Sequence, residues 1–271
     1  MTTLAARQLR RVLVALDPAA QCRAALETAA RLAAEREAEL VGIFVEEADL
    51  LQAAALPVTQ VIRDTDFMLD ALDPSKMQQG LRAWAAQARA ALDAVAARWH
   101  VQASFRVIRG SVGEALLAEA DGYELIALGT VSRASQRRRF GGTARLIARA
   151  APCAVLLMRG VQQPGEAVVV LYEGSEQALA LGRELADLNG QPLSVLAPGE
   201  ALAEAARAWL AERGPDAKVE VLAETAAAPL AARLGRAAAG IVVLERKGKL
   251  GGQIDVEAVL AGPASSIVLV G

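Results

Sequence analysis

The sequence has few of the residues that most often carry redox, metal and acid–base chemistry. It contains two cysteines and one histidine in 271 residues. Cys22 and Cys153 are too few for a disulfide framework or a zinc site. A histidine metal cluster or a Ser-His-Asp triad would have to use His100, and the sequence pattern places this residue at the end of a helix, where it needs no functional role. We therefore expect neither a catalytic residue nor a metal site.

Aromatic residues make up only 3% of the chain, although 54% of it is hydrophobic. Such a composition favours helices that pack closely on other elements. The net charge of -2 argues against bulk nucleic-acid binding. The start "MTTLAARQLRRVLVALD" lacks the apolar core of a signal peptide, and no apolar run approaches the length of about 18 residues that a membrane span needs. We expect a cytoplasmic protein with no membrane segment.

Short apolar runs alternate with stretches of helical periodicity. "RRVLVALD" and "AELVGIFVEE" read as buried strands, and "AAQCRAALETAARLAAERE" between them has apolar residues at helical spacing. The strands lack polar alternation, as expected when both faces of a sheet are covered. Five such strands precede Gly160, so the pattern predicts a parallel α/β sheet. Residues 51–79, interrupted by Pro57 and Pro74, have no clear assignment.

The pattern then restarts. "VLVALDPAAQCRAALETAARLA" aligns with "VVVLYEGSEQALALGRELADLN", and "PCAVLLMRG" aligns with "PASSIVLVG". A repeat of this length indicates a duplicated domain. We predict one domain over residues 1–160 and a second over 161–271, with "GVQQPGE" as the linker.

These segments resemble the universal stress protein family in its tandem two-domain form. The resemblance rests on "RVLVALDPAAQCRAALETAARLA", "VIRGSVGEALLAEADGYELIALGT" and "GGTARLIARAAPCAVLLM". It implies two doubly wound five-stranded parallel sheets, Rossmann-like and similar to adenine nucleotide alpha-hydrolases, each with strand order 3-2-1-4-5. It also implies that domains pair through their last strands, which a tandem chain could satisfy internally or in a homodimer.

ATP-binding members of the family share the motif G-x2-G-x9-G-[ST]. Here Gly129, Ser132, Gly142 and Thr143 keep its spacing, with serine in place of the second glycine. In a sheet of order 3-2-1-4-5, ligands bind between strands 1 and 4, where Asp17 and Gly129 end their strands. The resemblance therefore implies an adenine nucleotide, ATP with Mg²⁺, in this crevice.

Each residue type suits that task. Gly129 lets a ligand approach the backbone closely, and Gly142 and Thr143 would open a helix whose free N–H groups suit phosphate. Thr143 would either cap this helix or donate its hydroxyl to phosphate. If the position of Ser132 requires a positive φ, serine costs on the order of 1 kcal/mol. Arg133 either pairs with phosphate or is solvated.

By resemblance, Asp17 and Val45 would lie against the nucleoside. The second half differs: Glu173 follows its first strand, but the motif cannot be placed after "IVVLER". We expect this domain to lack a nucleotide site and to serve in packing.

Three functions remain open from the sequence. The favoured one is a stress-response sensor or regulator that binds ATP or another adenine nucleotide in the first domain, with at most slow hydrolysis. The alternative is a protein-interaction module without nucleotide, in which Arg137, Arg138 and Arg139 dock an acidic partner. An alpha-hydrolase-type enzyme is disfavoured, because "LDPAAQCR" does not supply the glycine-rich loop that usually follows strand 1.

Overall fold

A computed structural model describes residues 9–17, 20–47, 60–62, 69–71, 74–129, 141–160, 165–214, 217–222, 234, 239–248 and 266–271. The strands are β1 (Arg11–Leu16), β2 (Glu39–Glu47), β3 (Gln60–Ile62), β4 (Leu69–Ala71), β5 (Ala103–Gly110), β6 (Leu125–Gly129), β7 (Ala154–Met158), β8 (Ala167–Leu171), β9 (Leu193–Ala197), β10 (Ala217–Val221), β11 (Ala239–Glu245) and β12 (Ser266–Val270). The helices are α1 (Ala20–Glu35), α2 (Pro74–Trp99), α3 (Val112–Glu119), α4 (Gly142–Ala150), α5 (Glu176–Asn189) and α6 (Glu200–Ala211).

Ten strands form a single sheet in the order β10-β9-β8-β11-β12-β7-β6-β1-β2-β5. The first half of the chain (residues 9–160) supplies β5-β2-β1-β6-β7, and the second half (residues 165–271) supplies β10-β9-β8-β11-β12. Within each half all pairs are parallel. Counted along the chain, both halves have the order 3-2-1-4-5, which confirms the predicted α/β fold class.

Successive residues of the central strands enter opposite faces of the sheet, and both faces are covered. Val12 and Val14 belong to one apolar cluster and Leu13 belongs to the other, and all three are fully buried. Helices α1, α2, α5 and α6 contribute to the first cluster, whereas α3 and α4 contribute to the second. This double burial explains why the strands show no polar alternation.

Local signals in the second half set the ends of α5. The hydroxyl of Ser175 accepts a hydrogen bond from the N–H of Ala178 at 3.3 Å, which caps the first turn. Gly190 ends the helix in the left-handed conformation, with φ of 60°. Between these ends, Gly182 lies so close to Val170 of β8 that a Cβ atom would clash. The glycine therefore brings α5 tightly onto the sheet.

The two halves are joined by antiparallel pairing of β12 with β7, in which Ser266 faces Met158 and Leu269 faces Val155. Every residue of both strands is buried. Next to this junction, Arg246 donates hydrogen bonds from its guanidinium to the carbonyl oxygens of Ala151 and Cys153. The second half thus provides a cation at the carboxyl end of α4, where free carbonyls attract positive charge.

Two parts of the first half differ from the sequence interpretation. Helix α2 begins at Pro74, inside the segment that the sequence left unassigned, because proline is well suited to the first position of a helix. The unassigned segment contains a small antiparallel pair, β3 and β4, outside the main sheet. In the part of the chain that the structure describes, no helix is long and apolar enough to span a membrane.

We predict that Arg246→Ala lowers the free energy of unfolding by about 2 kcal/mol, because two buried carbonyls would lose a charged donor. Chemical denaturation followed by circular dichroism measures the change. Arg89→Ala is the matched control, since Arg89 makes only an exposed pair with Asp93 on α2. Equal effects of the two substitutions would show that Arg246 does not secure the junction.

Candidate functional site

Three neighbouring strands of the first half bring the candidate residues to one edge of the sheet. Leu16, the last residue of β1, is the register partner of Phe44, so Asp17 lies beside Val45, which is two residues before the end of β2. On the other side of β1, strand β6 ends at Gly129. Asp17 is exposed, whereas Val45 and Gly129 are half-buried. The strand order places the switch of winding direction between β1 and β6, so these residues border the crevice where such sheets bind ligands.

Cys22, in the first turns of α1, lies in the same crevice. Its thiol is 3.7 Å from the carbonyl oxygen of Ala15. Burial and the charge of Asp17 raise the pKa of Cys22 to about 11, although the backbone N–H groups of Asp17 and Gly129 act in the opposite direction. The thiol is therefore neutral at physiological pH and is a poor nucleophile.

Helix α4 contributes its amino-terminal end to the same edge of the sheet. The helix ends at Ala150, just before β7 begins, so its other end lies toward the carboxyl ends of the strands. Gly142 is exposed, and no atom lies within 4 Å of a Cβ placed there. The free N–H groups of this first turn can accept an anion.

The capping alternative for Thr143 is wrong. The residue at the N-cap position is Gly141, with φ of -64° and ψ of 149°, and no side chain caps the helix. Thr143 is the second helical residue and is half-buried. The other interpretation, in which the Thr143 hydroxyl binds phosphate, stays a prediction. Ser132 and Arg133 lie outside the described residues, as do Arg137, Arg138 and Arg139.

The corresponding crevice of the second half is filled by a carboxylate. One oxygen of Glu245 accepts hydrogen bonds from the N–H groups of Glu173 at 2.7 Å and Ser175 at 3.0 Å. These donors belong to the turn between β8 and α5. Backbone donors in a turn of this kind attract anions, and here the chain supplies the anion itself.

Glu245 occupies the place that Gly129 has in the first half. Val14 and Val170 are equivalent in the sequence repeat, and their register partners on the next strand precede Gly129 and Glu245 by two residues each. The two halves therefore differ at one decisive position: a glycine borders the first crevice, and a carboxylate fills the second.

A sequence model of the universal stress protein family matches residues 8–159. The chain belongs to the universal stress protein family. Among solved structures, a universal stress protein from Archaeoglobus fulgidus DSM 4304 is similar over 96% of this chain and 95% of its own, with 15% identity and a TM-score of 0.66. A functionally unknown protein from Pseudomonas aeruginosa PAO1 is similar over 99% of this chain and 94% of the Pseudomonas chain, with 18% identity and a TM-score of 0.60. At these identities the likeness shows the fold alone. A search of curated proteins found no match.

Sequence reasoning identified Asp17, Val45 and Gly129, which the fold brings to one crevice, but it missed Cys22 and Glu245. The sequence analysis considered Cys22 only for a disulfide or a zinc site, although its place in the first turn of the helix after β1 could have signalled the crevice. The role of Glu245 follows only from the strand register, which aligns "LIALG" with "IVVLE" and so places Glu245 opposite Gly129 in the repeat. Among the described residues, no group of three or more metal-binding side chains is present.

We predict that Cys22 reacts slowly with methyl methanethiosulfonate at pH 8, because a pKa of about 11 leaves about one thiol in a thousand ionised. Asp17→Asn removes a charge that disfavours the thiolate and should speed labelling a few-fold. Both rates are measured by mass spectrometry in a Cys153→Ser background. An unchanged or slower rate in Asp17→Asn would contradict the assigned contact.

We predict that Glu245→Gln lowers the pKa of Tyr172. This pKa is raised first by burial and then by the charges of Glu245 and Glu176, so removal of one charge favours the tyrosinate. Ultraviolet titration in a Tyr123→Phe background reports Tyr172 alone, because the chain has two tyrosines. Glu184→Gln, on the same helix as Glu176 but paired with Arg36, is the control and should leave the titration unchanged.

Proposed function

We propose that the protein binds an adenine nucleotide, ATP with Mg²⁺, in the crevice of the first half and acts as a stress-response regulator. The observation that carries this proposal is the contrast between Gly129 and Glu245. Two crevices of the same fold differ in that the second contains its own anion, whereas the first presents a glycine there. An anion-binding role for the first crevice accounts for this difference.

The residues present fit such a ligand. Phosphate would meet the free N–H groups at the start of α4, with Gly142 leaving room for it and Thr143 offering a hydroxyl. The carboxylate of Asp17 would accept a hydrogen bond from the ribose or the base, and Val45 would provide an apolar contact. Mg²⁺ would be bound mainly by the phosphates of ATP and by water, since proteins usually supply only one or two ligands to this ion.

The described residues of the crevice favour binding over catalysis. The Cys22 thiol is neutral, and the carboxylate of Asp17 is assigned here to the nucleoside and not to a water at the phosphates. An efficient hydrolase needs a positioned base beside the attacking water. We therefore propose at most slow hydrolysis.

The expected result is saturable binding of ATP-Mg to the wild-type protein by isothermal titration calorimetry. Gly129→Glu copies the second half and should weaken binding at least about tenfold, because the new carboxylate places bulk and negative charge in the crevice that the nucleotide would enter. The second half shows that the fold accepts glutamate at this place. Gly80→Glu, which makes the same change in open space on α2, is the matched control.

Protection of Cys22 from methyl methanethiosulfonate by ATP-Mg gives a second readout in the same crevice. The absence of heat at millimolar nucleotide in the wild-type protein would refute the proposal. Equal binding by the wild-type protein and Gly129→Glu would place the nucleotide elsewhere.

We further propose a cytoplasmic location and a division into domains at residues 1–160 and 161–271. The pairing of β7 with β12 supports an internal association of the two domains, in place of a homodimer through these strands. Docking of an acidic partner by Arg137, Arg138 and Arg139 stays a prediction.

A further inference from the structure

A cleft of about 740 Å³ lies between the two halves, along the face of α1 that runs from Arg23 to Arg31. The first half lines it with Arg23, Thr28 and Arg31 on α1, and the second half lines it with Leu188, Asn189 and Gln191 at the end of α5. Its volume is within the range of small-molecule sites in proteins, about 300–1,000 Å³. Residues of both halves are needed to form the cleft.

Arg31, on the lining of this cleft, is held in place by contacts from both halves. Its Nη1 donates to the Oδ1 atom of Asn189 at 3.0 Å, and its guanidinium carbon lies 5.3 Å from the centroid of the Trp99 ring. The side chain of Asn189 is oriented in turn, since its Nδ2 donates to the carbonyl oxygen of Leu185 at 2.8 Å. The guanidinium is therefore fixed by one contact from each half.

Two arginines, Arg23 and Arg31, and two carboxylates, Glu27 and Glu166, line the cleft. Within the part of the chain that the structure describes, no carboxylate lies within 4.0 Å of the guanidinium nitrogens of Arg23 or Arg31, and the Nε atom of Arg31 is buried without a hydrogen-bond partner. Glu27 lines the same cleft, but it accepts hydrogen bonds from Trp99 at 2.8 Å and Arg98 at 3.2 Å. Glu166, also on the lining, has an interaction of its own.

The arginines follow helical spacing. Arg23, Glu27 and Arg31 are four residues apart, so they lie on one face of α1. Two guanidinium groups thus face the cleft on either side of a carboxylate that is already paired. Met158, Leu188 and Pro192 add apolar surface. The lining combines charge with apolar walls, as sites for amphipathic small molecules do.

We propose that this cleft is a second ligand site, separate from the nucleotide crevice, for a small organic anion. The ligand carries one carboxylate or phosphate for Arg31 and Arg23 and an apolar body for the walls. The amide of Gln191 and the hydroxyl of Thr28 would bind its polar substituents. Since residues from both halves bind it, the ligand would stabilise their association.

Benzoate and phenyl phosphate are suitable probes, because they share an apolar ring and differ in the anionic group. Saturation-transfer NMR on the full chain should show saturable binding of at least one of them, and the preferred probe identifies the anion class. Arg31→Gln should weaken binding about tenfold, since it removes a charge-assisted hydrogen bond. Arg23→Gln, at an exposed position where folding is not at risk, should weaken it as well. Arg89→Gln is the control.

The test is independent of the nucleotide proposal, because ATP-Mg should not displace either probe and Gly129→Glu should bind the probes normally. Absence of binding of both probes at millimolar concentration would overturn the inference. Displacement by ATP-Mg would also overturn it, as would unchanged affinity in both Arg23→Gln and Arg31→Gln.

Discussion

The antiparallel pairing of β7 with β12 is the contact on which the arrangement of the two halves depends. An unpaired last strand would expose a row of backbone donors and acceptors, together with an apolar surface. Here both last strands are completely buried, and the strands left at the outer edges, β5 and β10, are the more exposed ones. Each half therefore uses the other to cover its most apolar edge.

This pairing also links the second half to the candidate site. Arg246 donates to carbonyls at the carboxyl end of α4, and the amino end of the same helix faces the crevice of the first half. A cation at one end and an anion at the other both favour the helix dipole. The second half therefore holds the helix whose amino-terminal end lies at the same edge of the sheet as the first crevice.

The fold could be predicted from sequence because its signals are local and repeated. Apolar runs without alternation predicted buried parallel strands, and the resemblance supplied the strand order that β1, β2, β5, β6 and β7 adopt. The site was less accessible. The role of Glu245 depends on strand register, which brings it beside the N–H groups of Glu173 and Ser175 about 70 residues earlier. The cleft at Arg31 depends on how two helices from different halves approach each other, which no local pattern encodes.

Because β7 and β12 run in opposite directions, the carboxyl ends of the strands in the two halves lie at opposite ends of the sheet. The crevice of the first half, bordered by Gly129, therefore lies at one end of the sheet. The crevice of the second half, filled by Glu245, lies at the opposite end. A duplicated chain of this kind has nearly symmetric architecture but asymmetric chemistry. Any partner that recognises the ends of the molecule can distinguish them, even though both ends derive from the same fold.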